Sequence, residues 1–389
     1  MRSTLQKDLS NGGMMLRRLL LSMLLVAACT AQAEDLVYFG TRSTEPGRGI
    51  FAARFDVQSG QLTSMGQVAS LELPTWVVAH PELPVLYAVS EVGNDGLSEA
   101  SVSSLEIDKA TGQLRLMNSV GSVGGGATHL AVDPASRTVF AANFGSGQVT
   151  WFPTLPDGRL GMPWAVQSHY GSGPTLPRQS VPHAYGIDVD PSRRYALVTD
   201  MGADRIFIYR FDAATRQLTP AAMPFIQATP GSGPRRLKFS PDGRFLFMIT
   251  ELSAEVVSYR WDARRGRLQQ VQSLSTNSPD FKGTSSGAHI DISADGRYVY
   301  TSNRGENTIV VHAVNQQNGT MKEVQRISSN GQNPRALGLH PGGRWLLVTN
   351  NVSNSIAVFA VDPATGMLSL KSSVTVPSPA SVAFIPVGN

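Results

Sequence analysis

An all-β ring of seven four-stranded units is what the chain predicts, on three observations. One turn motif is written seven times, a second turn motif runs out of phase with it, and the two chain ends complement each other. The first motif reads Ser59-Gly60-Gln61-Leu62, Thr111-Gly112-Gln113-Leu114, Asp157-Gly158-Arg159-Leu160 and Thr215-Arg216-Gln217-Leu218. It continues as Arg265-Gly266-Arg267-Leu268, Asn318-Gly319-Thr320-Met321 and Thr365-Gly366-Met367-Leu368, at spacings of 46 to 58 residues. Glycine supplies the positive φ that a tight hairpin needs, and the apolar residue two places on starts a strand.

The second motif is His80-Pro81, Asp133-Pro134, Asp190-Pro191, Ser240-Pro241-Asp242-Gly243, Ala294-Asp295-Gly296 and His340-Pro341-Gly342-Gly343. Apolar, β-branched and aromatic runs flank it, such as Leu86-Tyr87-Ala88-Val89 and Phe245-Leu246-Phe247-Met248. Each unit therefore holds four strands, A to D, with the Pro/Asp/Gly turn joining A to B and the glycine turn joining C to D. Four strands repeated about every 50 residues are the signature of a β-propeller. The N-terminal part supplies strands B, C and D at Leu36–Phe39, Gly49–Phe55 and Leu62–Val68, and the C-terminus a lone strand A at Ser381–Ile385. Both ends thus complete one blade and close a ring of seven, which leaves no wide sheet edge open.

The propeller is expected over residues 34–389, because residues 1–33 read as a signal peptide. Arg17 and Arg18 precede an apolar run from Leu19 to Ala28, and Ala31-Gln32-Ala33 forms a small-residue cleavage site before Glu34. The run is too short for a transmembrane helix. Cleavage after Ala33 implies a periplasmic or secreted protein; the alternative, from Val26-Ala27-Ala28-Cys29, is a lipoprotein anchored through Cys29. The leader carries +3 of the formal +4 charge, so the remainder is nearly neutral and gives no basic face for nucleic acid. Cys29 is the chain's one cysteine, so the mature fold must rest on its core without disulfides.

Short turns at one end of the ring leave the B–C and D–A loops at the other, where the longest irregular stretches fall, Gly161–Pro182 and Thr276–Gly287. Equivalent positions on this loop face diverge from blade to blade. Strand B ends carry Arg42, Glu91, Phe144, Met201, Glu251, Arg304 and Asn351. Strand A starts carry Thr75, Thr128, Tyr185, Arg235, Ala288 and Arg335, followed by Trp76, His129, Gly186, Arg236, His289 and Ala336. Conserved turns beside diverging charged and aromatic positions are what a shared central pocket requires.

From Val37 onward the chain resembles the 6-phosphogluconolactonase family of seven-bladed propellers, related to the carboxymuconate-lactonizing enzymes. The matching segments are Val181-Pro182-His183-Ala184, Asp200-Met201-Gly202-Ala203-Asp204-Arg205-Ile206, Gly231-Ser232-Gly233-Pro234-Arg235, Thr250-Glu251-Leu252-Ser253 and Thr301-Ser302-Asn303-Arg304-Gly305. The resemblance places the family's site residues at His183, Arg235, Glu251 and Arg304. Two neighbouring positions depart from the family's usual histidines, Tyr185 and Arg236.

The resemblance implies hydrolysis of a sugar lactone without metal or cofactor. Glu251 is expected to take the proton of the attacking water, with His183 as proton partner. Arg235, Arg304, Tyr185, Arg236, His289 and Arg335 are expected to bind substrate, the guanidinium groups holding an oxyanion or an anionic substituent. The seven histidines show no metal-ligand spacing and no dinucleotide fingerprint follows a strand, so no metal and no nucleotide are expected. The expected partner is a small-molecule lactone and the expected state a monomer. A second reading is a non-catalytic envelope propeller of the YVTN type, suggested by Leu347-Val348-Thr349-Asn350.

Overall fold

A computed structural model describes residues 34–42 and 49–387. Among them 28 strands form seven four-stranded antiparallel sheets, with no helix. In each sheet the strands lie in the order A-B-C-D from the central channel outward. The expected signal peptide, with Cys29, lies outside the described residues, and no described helix is long and apolar enough to cross a membrane.

The ring closes as the complementary ends predict. Strand A of blade 1 is Pro379–Ile385, and it pairs with strand B, Asp35–Thr41, in the register Leu36↔Ile385 through Gly40↔Ser381. Across the seam, Val37, Phe39, Phe55, Trp345, Leu347 and Val358 form one buried cluster shared by blades 1 and 7. Each such side chain contributes roughly 1.5–3 kcal/mol when fully buried. His340 of blade 7 also pairs with Asp35 of blade 1, Nε2 to Oδ2 at 2.8 Å.

The repeated glycine has a packing cause as well as a conformational one. Gly60 has φ of 75°, and a Cβ there would meet the Trp345 ring of the preceding blade at 2.3 Å. Gly366 repeats this against Tyr298 with φ of 70°. The glycine turn is thus the pad by which each blade docks on the preceding one. Its carbonyl serves too: Tyr38 Oη donates to Gly112 O at 3.0 Å and Tyr87 Oη to Gly158 O at 2.8 Å. Arg216 takes the glycine's place in blade 4 with φ of 57°, and its carbonyl accepts from Trp151 Nε1.

Strand B is wedged between neighbouring blades, so its side chains are buried on both faces, for example throughout Tyr195–Asp200, Phe245–Thr250 and Trp345–Asn350. That explains its continuous apolar runs, which lack the alternation of a half-exposed strand.

Candidate active site

Strand A carries the feature that shapes the channel. In blades 3 to 7 its pairing with strand B slips by one residue near its start: between Ala127 and His129, Ala184 and Gly186, Pro234 and Arg236, Gly287 and Ile290, and Pro334 and Ala336. These are β-bulges. The extra residue lets two consecutive side chains turn toward the lumen where a regular strand would send them to opposite faces. Strand B hydroxyls take up the freed amides: Gly186 N donates to Thr199 Oγ1 at 3.0 Å, His289 N to Ser302 Oγ at 3.0 Å and Ala336 N to Thr349 Oγ1 at 2.9 Å.

The bulges sort the lumen into levels. Tyr185 and Arg335, at the bulge itself, join the strand B ends Arg42, Glu91, Phe144, Glu251 and Arg304 around a loop-face pocket of about 330 Å³. The next residues, Trp76, His129, Arg236 and His289, form the floor of a separate cavity of about 550 Å³ at the opposite mouth, walled by Asp188, Lys238 and Asp291. Between the two, Arg236 lies over Trp76 at 4.2 Å and donates to the carbonyls of Tyr185 and Thr128 at 3.2 and 2.9 Å. Burial and then the Arg236 charge hold His129 and His289 well below the usual imidazole range, so both are neutral near pH 7. The structure therefore separates the sequence-derived set: Glu251, Arg304, Tyr185 and Arg335 meet at the loop face, while Arg236 and His289 line the other cavity.

At the loop face, three guanidinium groups among the described residues reach one carboxylate. Arg178 Nη2 donates to Glu251 Oε1 at 2.6 Å, and Oε2 accepts from Arg235 Nε at 2.9 Å and pairs with Arg304 Nη2 at 3.1 Å. Burial pushes the Glu251 carboxyl up, but Arg304, Arg235 and Arg178 together outweigh it and hold it at about 2. Arg304 is drawn down to about 10 by its own burial, against the pull of Glu251. Its Nε has no hydrogen-bond partner among the described residues.

Arg235 is buried beneath the pocket with its donors committed. Besides Glu251, it donates to the Ala288 carbonyl and, through Nη2, to Tyr185 Oη at 2.8 Å, with its guanidinium 4.4 Å over the Tyr185 ring. It is a support that fixes Glu251 and Tyr185 relative to each other. Burial raises the Tyr185 phenol, and the charges of Arg235 and Arg335 more than reverse that, leaving it below the usual phenol range. Across the pocket, Arg335 Nη2 approaches Glu91 Oε2 at 3.4 Å, and Asn94 Nδ2 donates to Glu91 Oε1 at 3.1 Å.

His183 lies outside the set of pocket-lining residues. Its Nδ1 is 2.8 Å from the Phe144 carbonyl, its ring stacks on Phe144 at 4.3 Å, and its amide donates to Asp200 Oδ1. The imidazole braces Phe144, which itself faces the pocket.

Sequence reasoning missed Arg178 and Asn94. Arg178 arrives on the long D–A connection 169–183, between Ala165–Ser168 and Ala184–Val189. That loop is pinned by Gln179, which is fully buried: Nε2 donates to Met201 O at 2.8 Å and Oε1 accepts from Thr175 N. It crosses Met201, the strand B end of blade 4, so the loop delivers a cation where that blade offers a thioether. The signal available in the sequence was the length of this loop and the arginine within it. Among the described residues no group of three or more His, Cys, Asp or Glu side chains is arranged to hold a metal.

The comparisons with known proteins agree with this architecture. The family described as "Lactonase, 7-bladed beta-propeller" matches residues 36–384. A 6-phosphogluconolactonase of Bacillus subtilis (strain 168) is 32% identical over 349 residues, covering 90% of this chain and 97% of the relative. A 6-phosphogluconolactonase of Formosa agariphila is 28% identical, covering 83% of this chain and 91% of the relative. The structure of a Pseudomonas aeruginosa periplasmic gluconolactonase superposes with a TM-score of 0.86 at 32% identity, over 92% of this chain and 100% of that one. With the match running from the first strand of the ring to the last, the chain belongs to the seven-bladed lactonase propeller family.

Proposed function

We propose that the loop-face pocket hydrolyses a sugar lactone that bears an anionic group. The observation that carries this reading is the pairing of a carboxylate and a phenol, Glu251 and Tyr185, from adjacent blades and joined by one buried guanidinium at a pocket otherwise rich in arginine. The names of the relatives, 6-phosphogluconolactonase and gluconolactonase, support the reaction class. Arg42, Arg178, Arg235, Arg304 and Arg335 stand against Glu91 and Glu251, an excess of positive charge that suits a phosphate or carboxylate substituent.

The chemistry is addition of water across an ester. Water adds to the lactone carbonyl carbon and gives its proton to Glu251, while the carbonyl electron pair moves onto oxygen. Arg304, whose guanidinium borders the pocket, stabilises that oxyanion. Collapse breaks the bond from carbonyl carbon to ring oxygen. The leaving oxygen takes the Tyr185 proton, made easier to give by Arg235 and Arg335, and Tyr185 regains a proton from Glu251. The products are one hydroxy acid and an unchanged site. Base, acid and oxyanion donor are all side chains of this chain, so the reading requires no metal. His183 keeps a positioning role through Phe144.

The same reading sets the work outside the cytoplasm. Residues 1–33, as a cleaved leader, would release a monomer starting at Glu34 to the periplasm or beyond. The test of the activity is a panel of aldonolactones, with and without a phosphate or carboxylate, followed by pH-stat release of acid. Turnover above background that favours the anionic members is expected. No turnover of any member above background refutes the proposal.

A further inference from the structure

We infer that Arg178 is a substrate-operated cap on Glu251: an anionic group of the lactone draws the Arg178 guanidinium away from Oε1 and so frees that oxygen to receive the proton of water. This rests on the hydrolytic reading above and assigns to a loop residue the control of its base.

The three guanidinium groups on Glu251 are not equivalent. The Arg235 side chain is 2% exposed and is held in addition by the Ala288 carbonyl and the Tyr185 hydroxyl. Arg304 is 12% exposed and belongs to the rigid end of strand B in blade 6, Tyr298–Asn303. Arg178 is 51% exposed, comes from a loop, and makes its carboxylate contact through Nη2, which otherwise touches the Met201 sulfur at 3.4 Å. Of the three, it is the one an incoming anion reaches first and the one that can move without breaking a blade. The loop survives such a motion because Gln179, not Arg178, ties it down.

In the capped state Glu251 is a carboxylate that cannot serve as a base. Oε1 is covered by Arg178 and Oε2 by Arg235 and Arg304. Arg178 acts on it both as a charge and as a hydrogen-bond donor, so removing it moves the carboxyl back toward its ordinary range. The groups facing Glu251 are Arg178 from the loop, Arg235 and Arg304 from blades 5 and 6, Tyr185 from blade 4 and Arg335 from blade 7. Of the guanidinium groups on Glu251, Arg178 is the exposed one on a loop, so its movement is what changes the charge at Oε1. A phosphate or carboxylate on the substrate offers Arg178 a stronger, paired partner, and the exchange uncovers Oε1 only when substrate is bound. Anionic lactones are then preferred in turnover as well as in binding.

The test compares wild type with Arg178→Gln, using a neutral δ-lactone, the same lactone carrying a phosphate, and inorganic phosphate as a probe. Phosphate added in trans should speed wild-type hydrolysis of the neutral lactone severalfold. Arg178→Gln should turn over the neutral lactone faster than wild type does and ignore added phosphate. On the phosphorylated lactone its kcat/KM should fall about 10- to 100-fold, the worth of one charge-assisted contact. Equal losses on both lactones, with no phosphate effect in wild type, overturn the proposal. A second readout needs no turnover. The ¹³C carboxyl resonance of Glu251, assigned by its loss in Glu251→Gln, should move on adding phosphate to wild type at neutral pH, and should already sit near the moved position in Arg178→Gln. If no lactone is hydrolysed, the hydrolytic reading fails by itself, and a Glu251 resonance that phosphate leaves in place overturns the cap independently.

Discussion

Replacing Glu251 by Gln separates the structural from the chemical consequences of one carboxylate. The side chain is 9% exposed and its carboxyl is held at about 2 against an ordinary 4.5. A depressed folded-state pKa contributes stability that is present in full above the unfolded value and lost as pH falls through the folded one. A difference of about 2.5 units corresponds to about 3 kcal/mol at neutral pH. Glu251→Gln stands in for the protonated group at every pH, so wild type should exceed it by about that amount at pH 7. By pH 3 the unfolded chain has taken up its proton and the folded chain mostly has not, so about three fifths of the gap should be gone. Urea unfolding midpoints of both proteins from pH 7 to pH 3 measure this. A gap that stays constant over that range refutes the ion-pair account of Glu251, since a packing defect would not track the titration. On the anionic lactone the same variant should lose about 10²- to 10⁴-fold in kcat, the usual contribution of a positioned base.

Three further outcomes follow from the same geometry. Arg304→Lys keeps a cation but gives up the planar fork that meets the oxyanion, so kcat on an anionic lactone should fall about 10- to 100-fold with a smaller change in KM, measured by steady-state kinetics. Tyr185→Phe should lower kcat by about 10²-fold on lactones with poor leaving alkoxides while leaving binding of inorganic phosphate, measured by calorimetry, within about twofold. Intact mass of the exported protein should correspond to a chain starting at Glu34; a mass starting at Cys29 with acyl chains, or an unprocessed cytosolic chain, would refute the leader reading.

Turn chemistry is local, which is why the ring was legible in the sequence. Gly60 and Gly366 need positive φ and the absence of a Cβ whatever the rest of the chain does, and their neighbours repeat for the same reason. The complementary ends needed only strand counting, and the register of Leu36 against Ile385 follows. The lumen was less legible, because a strict two-residue period would put Tyr185 and Gly186, or Arg235 and Arg236, on opposite faces. Whether a bulge breaks that period depends on a hydroxyl from the neighbouring strand, such as Thr199 or Thr349, some 13 residues away. Adjacency therefore suggested that Arg236 and His289 share a pocket with Glu251, while the bulge places them one level lower and facing the other mouth. His183 illustrates a different gap. Its motif fixes where the backbone runs, but the direction of the imidazole is set by the Phe144 carbonyl on another blade.

The level between the two cavities gives the loop-face site its directionality. Arg236 is a buried guanidinium that rests on Trp76, pairs with no carboxylate among the described residues and donates through its Nη atoms to the carbonyls of Tyr185 and Thr128. Neutral His129 and His289 beside it add no further charge. The plug thus stops the channel with a cation below the pocket, and its charge adds to that of Arg235 just above. On the proposed reading, an anionic lactone entering from the loop face would meet Arg178 first and the guanidinium groups of blades 5, 6 and 7 beyond it. On that reading, the positive charge beneath the pocket would draw the anionic group inward and bring the lactone carbonyl toward Tyr185 and Glu251. A seven-bladed ring suits this arrangement because Arg235 and Arg236 of blade 5, Arg304 of blade 6 and Arg335 of blade 7 are held apart by packed sheets that keep their like charges in place.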